Sequence, residues 1–184
     1  NMARFTDEFI NEIVENKEDY IGIPLVANRE MLENKEFDGL THELDPVTGE
    51  LRTDIVGSFI DFYTEQDDDG TLKLMAEVRV FKRFPNVCSS IVELFQAGDL
   101  EFSCECLVYE YANIEDDGTR VIDVGGGKLF ASAIVSEPAE VRSKATLLIA
   151  EAYKKDIESY QQGGVKMDKK ADYNNGVKVQ YIGQ

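Results

Sequence analysis

Residues Gly98–Tyr109 read GDLEFSCECLVY, a stop followed by a strand. Glycine suits a helix end, and from Glu101 onward the residues alternate with period two: Phe102, Cys104, Cys106 and Val108 fall on one face, Ser103 and Glu105 on the other. The stretch predicts a half-buried β-strand with a serine on its polar face. Its neighbours say what that strand belongs to.

Upstream, Phe84-Pro85-Asn86 opens a helix to about Ala97, with Val87, Ile91, Leu94 and Phe95 at helical spacing. Before it, Thr53–Glu65 and Thr71–Phe81 are two β-rich runs joined by Gln66-Asp67-Asp68-Asp69-Gly70, a hairpin loop with glycine where a positive φ is needed. The aspartates lack the further spaced oxygen ligands of a calcium loop, so the turn reads as solvated. At the start, Thr6 is placed to cap a helix, Asp7 and Glu8 suit its positive end, and Phe9, Ile10, Ile13 and Val14 form its apolar stripe, with Phe5 positioned to staple onto Ile10. Tyr20–Ala27 is a short apolar strand in which Pro24 requires an edge or a bulge, and Arg29–Asn34 is a short helix.

Downstream, Ile114–Thr119 is an acidic turn leading to a strand over Thr119–Val124. Gly125-Gly126-Gly127 lacks the Lys-Ser/Thr pair and helix start of a phosphate loop and reads as a turn. Leu129–Ser136 is a further strand. From Pro138 a long helix is expected to about Tyr160, with Ala145, Leu148, Ile149, Ala152, Tyr153 and Ile157 on one face. The expected fold class is α+β: a small, mixed and largely antiparallel β-barrel flanked by helices, one domain over residues 1–162, then a flexible extension over 163–184.

Composition narrows the function. The 184 residues carry 36 acidic against 19 basic side chains, a net charge of −17, which repels nucleic-acid phosphates and anionic membranes. No apolar run approaches the roughly 20 residues of a membrane span, and the acidic start does not resemble a signal peptide. Three cysteines, two of them a strand repeat apart on one face, fit a reducing compartment, and on the Phe102 face Cys104 and Cys106 read as packing residues rather than thiol nucleophiles. A serine hydroxyl needs a base within hydrogen-bond reach. The one histidine is His42, in Leu40-Thr41-His42-Glu43-Leu44 ahead of an Asp45-Pro46-Val47-Thr48-Gly49 turn.

The order of His42, Ile55-Val56-Gly57, the hairpin, a helix ending in Ala97-Gly98-Asp99-Leu100, Ser103 and Ile134-Val135-Ser136-Glu137-Pro138-Ala139 resembles the prohead proteases of tailed phages, over roughly Ile21 to Glu151. The most specific elements are G-x-L-x-x-S, at Gly98 to Ser103, and V-x-x-P-A, at Val135 to Ala139. That family looks like the herpesvirus assemblin proteases in fold. The resemblance implies a serine endopeptidase that needs no cofactor or metal and cleaves scaffold and major capsid precursor proteins. Its location would be the immature capsid in the bacterial cytoplasm, and the herpesvirus relatives suggest self-association through the C-terminal helix.

Carried onto this chain, Ser103 matches the nucleophile and His42 the general base. Where the family places a glutamate before the closing strand pattern, this chain has Ala131, and its single histidine forbids a Ser-His-His arrangement. Glu105 and Asp123 are the alternative third members, and Ser132 is a further group able to orient a base. Arg142 falls in the region from which the herpesvirus enzymes supply an oxyanion arginine. The alternative function is a catalytically impaired protein of the same fold, serving as a scaffold or internal capsid-assembly component; an acidic β-barrel binding module is a third.

Overall fold

The structure is a computed structural model that describes residues 3–41, 47–136, 144–146 and 177–182. The chain starts with β1 (Ala3–Phe5) and α1 (Asp7–Glu15). Thr6 has an extended backbone, and its Oγ1 accepts a hydrogen bond from the Phe9 amide at 3.2 Å, which turns the chain into the helix. Phe9, Ile10 and Ile13 are buried along one stripe. Phe5 packs edge-on against Phe9 at 5.1 Å, one residue before the Ile10 expected from a staple.

Next come β2 (Pro24–Ala27), α2 (Arg29–Asn34) and a 3₁₀ turn at Phe37–Gly39. The hairpin follows as β3 (Asp54–Gln66) and β4 (Leu72–Val80), then α3 (Pro85–Ala97) and β5 (Glu101–Val108). Gly98 closes α3 in the left-handed region at φ 84°. The remaining strands are β6 (Asn113–Ile114), β7 (Arg120–Ile122), β8 (Gly127–Val135), β9 (Lys144–Thr146) and β10 (Val177–Ile182).

The main sheet runs β5-β8-β2-β3-β4-β10-β9, and a small sheet runs β1-β7-β6. The first five strands of the main sheet curl into a half-barrel, and β9, at the far end of the order, comes against β5. The α+β class holds. Of the edge or bulge that Pro24 requires, the structure has the bulge: β2 lies between β8 and β3, Pro24 is its first residue, and the register shifts at Leu25/Val26. Two expectations are corrected. Lys144–Thr146, inside the expected long helix, is a strand, and the rest of that helix lies outside the described residues. Val177–Ile182, inside the expected flexible extension, pairs with β4; its sequence VKVQYI has the period of two that a strand needs.

One face of the sheet and the helices enclose the core. Phe9, Ile13, Leu25, Phe59, Phe62, Leu74, Ile91, Phe102, Leu129 and Ile134 are among its buried members, and Phe59 and Phe62 stack at 5.3 Å. Gly57 lets β3 and β4 close: a Cβ there would lie 2.6 Å from the Arg79 carbonyl oxygen. On β8, Glu105 pairs with Ala131 and Cys106 with Leu129, so Phe130 is an inserted residue. The resulting bulge changes the phase of β8, and both Ile134 and Leu129 reach the core although their offset of five positions is odd. No described helix is long and apolar enough to cross a membrane.

Candidate functional site

Ser103 lies in the middle of β5, directly across from Ala133 of β8, which in turn neighbours Val26 of β2. Residues opposite one another in a ladder share a face, so Ser103 projects to the side of Ala133 and Val26 and away from the main core. That side is not an open polar surface as the alternation implied. Val26, Ala133 and Val135 form a second buried cluster, and Ser103 is only 4% exposed. The nucleophile candidate therefore sits in an apolar setting with low water access.

Glu105 follows two residues on, so it shares the face of Ser103, and its cross-strand partner is Ala131. Such pairs hold their Cβ atoms about 4.5–5.5 Å apart. A carboxylate at 105 thus occupies nearly the space that one at 131 would fill, offset by one strand. The Oε1 atom of Glu105 is shut off from solvent.

Asp123, the other candidate third member, is used elsewhere. Its Oδ1 accepts from Thr6 Oγ1 at 2.6 Å and from the Val124 amide at 2.8 Å. The bond from Thr6, then that from Val124, holds its carboxyl below the usual range. It precedes β8 at the Gly127 end, and Gly127 is six residues, or about 20 Å of strand, from the partner of Ser103. The structure brings Glu105 to Ser103 and leaves Asp123 at the start of α1. His42 and Arg142 lie outside the described residues.

Cys104 and Cys106 pack against the main core. Burial first, and the neighbouring Cys106 and Glu105 next, push the Cys104 thiol far up; burial and Glu105 push Cys106 up to about 12. Both stay protonated at neutral pH, the wrong state for a thiolate nucleophile. Ser132 is fully buried, pairs with Cys104, and donates its hydroxyl to the carbonyl oxygen of Ser103 at 3.1 Å. It thus fixes the backbone that carries the nucleophile candidate, from the side opposite to Ser103's hydroxyl.

Sequence reasoning did not single out Ser136, immediately past the end of β8. Its amide donates to the Leu40 carbonyl at 3.0 Å, and its hydroxyl lies 3.0 Å from the Asp38 carbonyl oxygen and 3.1 Å from that of Leu40. A hydroxyl closing a strand just before Glu137-Pro138 was the available signal. Comparison of the chain with protein-family models, curated proteins and solved structures gives no match.

Proposed function

We propose that the protein is a serine endopeptidase of the prohead-maturation type, built on a barrel like that of the herpesvirus proteases and acting on scaffold and major capsid precursor proteins inside the immature capsid. Ser103 attacks the scissile carbonyl while His42 takes its proton. His42 then gives that proton to the leaving amine, and water enters by the same base to release the acyl group and restore the serine. Glu105 orients the imidazole and stabilises its charged form, and the role of stabilising the oxyanion falls to Arg142.

The observation that carries this reading is the pairing of Glu105 with Ala131, on the face of Ser103. The carboxylate absent from β8 is supplied one strand over. Leu40, two positions before His42 in the sequence, has its carbonyl held by Ser136 at the end of β8. That end is three residues, about 10 Å, from the partner of Ser103.

The test is processing of a cognate capsid precursor, followed by gel and mass spectrometry. Ser103→Ala removes cleavage, and Glu105→Gln slows it by about 10²–10⁴-fold. Moving the carboxylate back, in Glu105→Ala with Ala131→Glu, restores a measurable part of the rate lost in Glu105→Ala alone. Cleavage by Ser103→Ala at the rate of the unaltered protein would refute the assignment. The 4% exposure of Ser103 favours a second reading, a scaffold or internal capsid component of the same fold without activity. That reading expects an intact precursor with every variant, the unaltered chain included.

A further inference from the structure

The geometry points to a docking surface at the open end of the β3–β4 hairpin: Arg79 and Arg83, on either side of the exposed ring of Phe81, fit a short acidic segment of another protein. This surface makes no use of Ser103. Residues 78–92 contain no carboxylate, the longest such run in a chain with 36 acidic side chains, and they carry three cations, Arg79, Lys82 and Arg83. A molecule of net charge −17 thus gathers positive charge into one short piece, and that piece leads out of β4 into α3.

Arg79 stands opposite Ser58 of β3. Val78 and Val80, its neighbours, turn to the main core, so Arg79 faces the other way, and it is exposed. Phe81 carries the ladder one residue further: its amide donates to the Val56 carbonyl oxygen at 2.8 Å, and its own carbonyl oxygen accepts from the Phe84 amide at 3.2 Å and from Cys88 Sγ at 3.6 Å. These bonds close a turn with Lys82 and Arg83 at its tip. The Phe81 ring, 37% exposed, and the exposed Arg83 are therefore presented on a fixed backbone, which lowers the entropic cost of binding. Ile55, next to Val56 on β3, is 56% exposed and adds a second apolar side chain. Among the described residues Arg79 and Arg83 have no carboxylate partner, whereas Arg29, which lies over the Phe84 ring beside the same turn, is paired with Asp54 and Glu33. Two guanidiniums flanking an apolar ring complement a segment whose carboxylates flank an apolar side chain. A long polyanion meets the repulsion of the remaining surface, while a short acidic segment meets only these residues.

The probe is a short fluorescein-labelled peptide alternating glutamate and leucine, titrated with the full chain and followed by anisotropy. Saturable binding is expected, weakening as salt rises from about 50 to about 200 mM. Amide NMR signals of Ile55 and residues 79–84 should shift on binding while those of β6 and β7 stay. Arg79→Ala and Arg83→Ala should each weaken binding by about tenfold, the scale of a hydrogen bond to a charged group, and Phe81→Ala should weaken it severalfold. Arg120→Ala, which removes an exposed arginine on β7, and Ser103→Ala should leave it unchanged. The urea midpoint of each variant separates loss of contact from loss of fold. Absence of binding by the unaltered protein would overturn the docking surface, as would shifts confined to other residues, equal affinity in the doubly altered Arg79→Ala/Arg83→Ala chain, or equal affinity for a peptide with serine in place of leucine. Tighter binding of a short DNA duplex through the same arginines would assign the surface to nucleic acid and overturn it as well.

Discussion

At the scale of the residue, β5 separates two chemistries by face. Cys104 and Cys106 turn to the main core, Ser103 and Glu105 to the smaller cluster, and period-two alternation made this division legible. What alternation does not disclose is the burial of the second face, because Val26, Ala133 and Val135 arrive from strands remote in sequence. The thiols offer a check on the packing. Cys106 ionises near 12 when folded and near 9.0 in an ordinary setting, so above pH 9 the folded state keeps a proton that the unfolded state loses. Its contribution is fully present below pH 9 and falls as pH rises toward 12, by about 1.4 kcal/mol per pH unit at the steepest. Urea unfolding of the protein and of Cys106→Ala, compared between these limits, should converge as pH rises. Parallel curves would mean that the thiol is exposed.

Elements with one regular face were the ones the sequence showed clearly. The hairpin β3–β4 lies within a residue or so of its expected bounds, and α1, α2 and α3 lie where caps and apolar spacing placed them. β8 was legible only as a small apolar run, since Phe130 breaks its alternation and both phases of the strand serve the core. The central place of β2 was hidden by Pro24, because position within a sheet is a property of partners rather than of the strand. α1 yields a test of its own. Thr6 Oγ1 both accepts from Phe9 and donates to Asp123, so Thr6→Ala removes a cap and a tie to the β7–β8 connection together. A loss of about 1–2 kcal/mol by urea unfolding is expected. Thr6→Ser should retain most of it, and the Asp123 carboxyl should titrate at higher pH in Thr6→Ala when followed by NMR.

For the whole molecule, the net charge of −17 opposes the compact state through self-repulsion. Raising salt from about 20 to about 200 mM shortens the range of that repulsion. The melting temperature should rise by about 2–4 °C, the shift produced by about 1 kcal/mol in a chain of this size; a fall would show that attractive ion pairs dominate. Among the described residues such pairs include partly exposed ones, as with Arg4 and Glu115 at 2.6 Å or Lys17 and Asp61 at 2.6 Å. The small sheet adds a consequence of timing. β1 lies parallel to β7, Ala3 against Arg120, and the cap of α1 is tied to Asp123. Once made, α1 thus waits for partners more than a hundred residues behind it, which at about 5–20 residues per second is on the order of ten seconds. Throughout that interval Phe9, Ile10 and Ile13 belong to a nascent chain without their final neighbours, and it is then that this protein has most need of a chaperone.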